Sequence, residues 1–440
     1  MSAVLLVSGS VLAGAGLASA EPTTPGFLDV SYGRSGVARM PVPAGSRAMT
    51  ITRLGDGRTL VLVDWVGPGG GHRPALFRLA PDGAIDRGFG AAGSVVIREV
   101  GWFAARDMVI QVDGGILVVG NVRRGADRLP GVLRLTRDGD LDRSLGQGGV
   151  VTPKPVPGWF SMEAATASGE GLVFVGAQTR TRGGPSVSIL GSYRNGAIVA
   201  NAFNPDGQPS SRSSLRGVAA VGDGTFIATG AFHGGGPNDN GYLLIKFDAA
   251  LRLVEGFAAG VLVDPKEGCQ FDMADVVMQG AKNIVAGTSW GCAGQVVGQQ
   301  VAVARQLPNG LADDPFGAGP GEAGEGAIAL GPVNRVWWGA RAVAVDSQSR
   351  IIVVGTAYAT AADSGQPAGQ AITTPRPLSL RLNADGTLDG RYAVNPLALR
   401  NSPWTWMGKD VVVTPGDDVL MLGTATNGTR TEVRVAKLMG

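Results

Sequence analysis

Val132-Leu-Arg-Leu135-Thr-Arg-Asp138-Gly139-Asp-Leu141-Asp142-Arg-Ser-Leu145-Gly146-Gln-Gly-Gly149-Val150 decides the fold, because versions of it recur from one end of the chain to the other. An alternating apolar run (Val132, Leu133, Leu135) meets an Asp138-Gly139 turn. A short second strand then passes through Leu141, and a loop with Gly146 and Gly149 leads into another apolar residue. That is a β-hairpin with its punctuation. The fullest other copy has Arg78-Leu79, Asp82-Gly83, Asp86, Phe89-Gly90 and Gly93. Looser copies follow at Asn195-Gly196, around Phe247-Asp248, at Asn309-Gly310 with Asp313, Phe316 and Gly317, and at Asp385-Gly386 with Asp389 and Tyr392. Near the N-terminus, Asp29 to Val37 carries only the second half of the motif, with Tyr32-Gly33 and Gly36.

A second signature precedes each copy: an apolar run, a polar or glycine turn, and a β-rich run that mostly ends in glycine. Met108 to Gly120 and Val343 to Gly355 are the clearest cases, and related runs lead to Asp64, Gly176, Gly230, Gly287 and Gly423. Two hairpins make about four strands per unit at a spacing of roughly 50 to 60 residues, the period of propeller blades. The sequence therefore predicts an all-β fold, a seven-bladed β-propeller over residues 21–440. Its blades fall at approximately 46–98, 101–152, 159–207, 213–264, 270–331, 337–398 and 404–440 plus 26–43. The last unit runs out one strand short, and the orphan half-motif supplies it. A ring closed by the N-terminal strand completing the C-terminal blade leaves no unpaired edge between first and last blades.

The Arg-Leu, Asp-Gly, Asp and Phe-Gly positions of the copies ending near Gly93 and Gly149, and the half copy at Asp29, resemble the delta-60 repeat family of bacterial β-propeller-like repeats. Elsewhere the likeness blurs: Ala249-Ala250 replaces the turn glycine and Val199 stands where the aspartate belongs. The resemblance implies a fold and a secreted, periplasmic or cell-envelope setting in a bacterium. It implies no catalytic residue.

Composition agrees with many short strands. The 440 residues include 70 Gly and 26 Pro, and only 17% are charged. A net charge of +2 without a basic block gives no footprint for a phosphate backbone, so nucleic acid is not an expected partner. Residues 1–20 are uncharged and end in Ala18-Ser19-Ala20, which reads as a signal peptide, although no Lys or Arg precedes the apolar run. No later segment reads as a membrane span.

The chain has two cysteines, Cys269 and Cys292. If their hairpin turns at Gly280-Ala281 and keeps a constant register, they face each other across antiparallel strands and form a disulfide. Aromatics cluster just before the first strand of five units: Trp102, Trp159, Phe271, Trp337 with Trp338, and Trp404 with Trp406. They either ring the mouth of the central channel or pack between blades, and Arg47 and Arg212 stand in the other two units. Asp107 and Asp410 occupy equivalent first-strand positions, with Glu163 and Asp275 close to the same register. Such carboxylates could do acid–base work on a glycoside, or could be ion-paired with Arg106, Arg341 or Lys409. His72 and His233, three blades apart, lack metal-site spacing and read as loop histidines, so neither metal nor cofactor is expected. Gly287-Thr-Ser289-Trp-Gly291 matches a nucleophile elbow but lies inside a hairpin with no helix after it. A long loop from Tyr358 to Pro377 reads as a flexible rim.

With no complete catalytic constellation, the first expectation is a non-enzymatic monomeric module presenting an aromatic-rimmed face to a protein or glycan partner. The alternative is a saccharide-active hydrolase or lyase with channel-facing carboxylates.

Overall fold

The computed structural model describes residues 24–153, 158–179, 184–205, 207–208, 211–234, 240–257, 260–263, 270–290, 299–318, 326–330, 337–359, 374–392 and 404–440. The leader-like stretch 1–20, both cysteines and residues 360–373 of the rim loop lie outside them. Among the described residues the fold is all-β and propeller-like, apart from one 3-10 turn at Pro68–Gly70. No described helix is long and apolar enough to cross a membrane.

After β1 (Val37–Val42), successive strands form antiparallel meanders. The first comprises β2 (Arg47–Arg53), β3 (Thr59–Val66), β4 (His72–Leu79) and β5 (Ser94–Val96). The second is β6 (Phe103–Ile110), β7 (Ile116–Arg124), β8 (Asp127–Leu135) and β9 (Val150–Val151). It is followed by β10 (Trp159–Ser168), β11 (Gly171–Thr179), β12 (Ser186–Arg194) and β13 (Ala197–Phe203). Then come β14 (Arg212–Ala220), β15 (Thr225–His233), β16 (Asn240–Asp248) and β17 (Gly260–Val263). The next set is β18 (Gln270–Gln279), β19 (Lys282–Trp290), β20 (Gln299–Gln306) and β21 (Ala327–Leu330). β22 (Trp337–Val345), β23 (Ile351–Ala359) and β24 (Thr374–Leu382) form a three-stranded set among the described residues. The last meander, β25 (Thr405–Val413), β26 (Val419–Thr426) and β27 (Thr431–Leu438), gains its fourth strand from the other end of the chain. There β1 pairs with β27 from Val37↔Ala436 to Val42↔Thr431.

The core sits in the seams between meanders. Met49, Leu60 and Leu62 of the first pack with Phe103, Val118 and Leu133 of the second, and each later neighbour pair has an equivalent cluster. One such cluster joins Ile51, Val61 and Val63 of the first meander to Leu420, Leu422, Val433 and Val435 of the last, with Met40 of β1 between them.

Every first strand carries a one-residue β-bulge at the same height, at Met49, Arg106, Glu163, Arg216, Ala274, Arg341 and Lys409. In six of the seven meanders the glycine that ends the β-rich run lies opposite this bulge, and the first has Val63 there. A β-carbon at Gly230 would fall 1.9 Å from the Ser214 carbonyl oxygen, and one at Gly355 1.9 Å from that of Gly339. The bulge also bears on the register assumed for the cysteines. The β18–β19 hairpin does turn at Gly280-Ala281, but past Ala274 the pairing shifts by one residue, to Gln270↔Trp290. The pairing of the cysteines themselves lies beyond Gln270 and Trp290, outside the described residues.

The recurring motif proves to be a seam lock. Its arginine binds its second aspartate: Arg78 Nε to Asp86 Oδ2 at 2.6 Å, Arg305 to Asp313 at 2.5 Å, and Arg381 to Asp389 at 2.9 Å. The other oxygen of Asp86 accepts the Gly88 N–H at 3.0 Å, tying the loop as Asx-type residues do. The following aromatic is buried and rests on the Asp-Gly turn of the next repeat, so that a β-carbon at Gly139 would lie 2.9 Å from the Phe89 ring. Gly386 meets Phe316 in the same way. Gly139 also has φ +96°, which L side chains resist. Gly139→Ala is expected to cost about 2 kcal/mol, read as a lower denaturation midpoint, whereas Gly196→Ala, which has open space around it, costs only about 1 kcal/mol of backbone strain.

Candidate functional site

The residue after the bulge is the position that carries the carboxylates: Asp107 on β6, Asp275 on β18 and Asp410 on β25. The other meanders place Thr50, Ala164, Gly217 and Ala342 there. Glu163 is the bulge residue itself, one step out of register, and its carboxylate accepts the Ser161 hydroxyl. Each of the three aspartates uses Oδ1 to accept the N–H of its own following residue, Met108, Val276 or Val411, at 2.8 Å. Each Oδ2 reaches the next first strand, accepting from Ala165 N–H at 2.8 Å, Val343 N–H at 3.0 Å, and Ile51 N–H at 2.8 Å. Asp410 gains a further bond from the Thr50 hydroxyl at 2.7 Å. The partners are thus backbone amides of the neighbouring meander; none of the described ion pairs joins these aspartates to Arg106, Arg341 or Lys409, which corrects that expectation.

The three come from meanders that are not adjacent, yet the charge of Asp410 acts on both Asp107 and Asp275. Burial pushes Asp107 up to about 6, against the Ala165 amide, and the Asp410 charge pushes the same way. Asp275 is driven to about 7, again chiefly by burial, with the Asp410 and Asp107 charges adding to it. Asp410 is also raised by burial, but the Ile51 amide, the Thr50 hydroxyl and the Lys409 charge favour its anion. All three carboxyls are thus held above the ordinary carboxylate range, two of them near neutrality, and Asp410 is the one that also has a hydroxyl donor and a lysine charge favouring its anion.

The aromatics pack largely against cations and seams. Trp102 lies between His72, at 5.0 Å between centroids, and Arg128, whose guanidinium is 5.2 Å from the Trp102 ring and 4.8 Å from the Trp159 ring. Phe271 meets Tyr242 edge-on at 6.0 Å, and Trp338 packs partly buried against the β19–β24 cluster. Arg434 sits 4.1 Å from the Trp404 centroid. Trp406, at 2% exposure, packs in the seam between the sixth and last meanders with Ile352, Val354 and Met421, the inter-blade place among the two that the sequence leaves open. The Trp337 backbone pairs with Tyr358 on β23.

His72 is not a free loop histidine. Its Nδ1 is 2.8 Å from Oδ2 of Asp64, which is buried and whose carboxyl burial raises. The sequence holds this signal only through register, since pairing Val66 with His72 brings Asp64 to the same hairpin end. Ser289 is buried in β19, and the described metal-ligating residues form no group able to hold an ion.

No family model matches the chain, and no curated protein matches it. Among solved structures it is similar to the polysaccharide lyase Uly1, at 11% identity over 88% of this chain and 89% of that one, with a TM-score of 0.47. It is similar too to the β-propeller domain of the trilobed protease from Pyrococcus furiosus (8% identity, 88% and 93% coverage, TM-score 0.45). A third is the α-L-arabinanase of Penicillium chrysogenum (11% identity, 91% and 97% coverage, TM-score 0.42). The expectation of a non-enzymatic module stands against this set, in which two of the three proteins named are saccharide-active enzymes; likeness at this level is one of fold alone.

Proposed function

We propose that the chain is a seven-bladed propeller of delta-60-like repeats, closed by β1, that works in an exported setting as a saccharide-active enzyme. Support for the ring comes from the β1–β27 pairing and from the shared core of the first and last meanders. The single observation behind the activity is the electrostatic coupling of Asp107, Asp275 and Asp410, with two of them shifted close to neutral. In this reading Asp275 donates its proton to the glycosidic oxygen as the C–O bond breaks. The Asp410 carboxylate takes a proton from the water that adds to the sugar carbon.

Release of reducing ends from a panel of neutral and acidic polysaccharides tests this. Asp275→Asn is expected to lower kcat at least about 100-fold with an unchanged circular dichroism spectrum, and wild-type kcat to fall as pH rises above about 7. Full activity in Asp275→Asn, or no release by wild type from any polysaccharide, would overturn the reading.

A further inference from the structure

A second feature lies away from the carboxylates, on the second meander. A cleft of about 270 Å³ is lined by Glu99, Trp102, Arg123, Arg124 and Gln147, with glycine backbone at 101 and 148. Trp102 is a fixed wall rather than a loose side chain, because His72 and Arg128 hold its ring. The one carboxylate, Glu99, is 3.5 Å from Arg143, whose charge offsets it. Arg123 and Arg124 are both exposed, and neither has an ion-pair partner among the described residues. The cleft is therefore cationic on a protein whose surface is otherwise nearly balanced. Guanidinium groups recognise planar carboxylates with paired N–H donors, an indole wall suits the carbon face or rim of a pyranose, and Gln147 can bond hydroxyls.

We infer that this cleft is a subsite for an acidic saccharide, a chain of uronate units, in which Arg123 and Arg124 bind the sugar carboxylates and Trp102 contacts the ring. The choice of a saccharide among possible anions rests on the proposed saccharide activity; the charge preference does not. Preformed walls keep the ordering cost of binding low, and the exposed arginines make the affinity salt-dependent.

Calorimetric titration with trigalacturonate tests the inference without needing turnover. Wild type is expected to bind it, more weakly as salt rises, and the exposed double variant Arg123→Ala/Arg124→Ala to bind at least about tenfold more weakly. The fully methyl-esterified trimer, which has lost the charge, should bind both proteins equally poorly. Equal affinity of wild type and variant for the acid, equal affinity of wild type for acid and ester, or no binding by wild type overturns the subsite. An inorganic phosphate titration that matches trigalacturonate also overturns it, because the saccharide would then contribute nothing. Polysaccharide turnover measured on the same double variant separates the two readings. The expected loss of binding, with activity absent from both proteins, condemns only the carboxylate mechanism, whereas intact binding with intact activity condemns only the subsite.

Discussion

A chain lacking residues 24–42 is expected to melt roughly 5 °C below the full-length protein and to self-associate, a loss on the order of 5 kcal/mol. The segment is bound at every level. Backbone bonds run from Gly26 N–H to Met439 O at 2.8 Å, from Asp29 N–H to Lys437 O at 2.9 Å, and from Met439 N–H to Phe27 O at 2.9 Å. Lys437 Nζ takes the place of the repeat's arginine, 2.9 Å from Asp29 Oδ2. Tyr32 takes the place of its aromatic and seats on Gly83 of the first complete repeat, where a β-carbon would lie 2.7 Å from the ring. Tyr32, Val37, Met40 and Val42 are buried, each worth about 2 kcal/mol of apolar burial before the entropy of ordering the segment is subtracted. Deletion also bares the hydrogen-bonding edge of β27 beside Val433 and Val435, a template for pairing with another chain. Differential scanning fluorimetry and light scattering read both effects, and a peptide of residues 24–42 added in trans should restore the melting temperature. An unchanged melting temperature would show that the last meander stands without its fourth strand.

The same segment separates what a sequence states from what only folding decides. The half-motif at Asp29 is legible because turn glycines and alternating apolar residues are local requirements, and each repeat states them again. Its chemical role is legible too, since the pairing of Asp86 with its loop repeats in Asp29, whose Oδ1 accepts the Ser31 N–H. Anything that depends on register beyond one hairpin is not. The bulges at Arg106 and Ala274 leave no composition signal, because several residue types fill them, and they alone decide that Asp107 and Asp275 bridge to the next strand while Glu163 does not. The glycines opposite them are visible, but their reason, a carbonyl pressed against the α-carbon, is a tertiary fact. The choice between rim and seam is closed to the sequence at Trp406 for a related cause: an aromatic two residues from another aromatic says nothing about which of the two faces the seam. The Asp64–His72 pair escapes the sequence because its partners are eight residues apart across a glycine- and proline-rich turn, where no periodic pattern holds the count.

Stability should peak between about pH 4 and pH 5 and fall as pH rises toward 8, the reverse of the trend that surface carboxylates impose. Asp107 and Asp275 have folded values of about 6 and about 7 against an ordinary 3.8, so between those limits the folded chain holds protons that the unfolded chain has released. Unfolding then releases protons, and stability decreases with pH across that window. Their contribution is fully present below about pH 4 and is lost as pH passes through 6 and 7. A tenfold change in proton affinity is worth about 1.4 kcal/mol, and pH 5 lies about one unit below the folded value of Asp107 and about two below that of Asp275, so the combined loss between pH 5 and pH 8 is on the order of 4 kcal/mol. Asp64, raised by burial, acts in the same direction. The acid limb has the opposite sign. Asp223, held at about 2 by the Thr225 hydroxyl, and Asp113, lowered first by the Gly115 amide, favour folding above pH 4 and lose that as they protonate. Melting temperature is therefore expected to drop by several degrees between pH 5 and pH 8, and to drop again below pH 4. In Asp107→Asn/Asp275→Asn the amide oxygens can still accept the Ala165 and Val343 N–H groups while nothing at those positions ionises, so the alkaline limb should flatten and the acid limb remain. A double variant that keeps the full slope from pH 5 to pH 8 would show that the burial of these carboxylates costs the fold nothing, and with it would go the reason for expecting Asp275 to carry a proton at neutral pH.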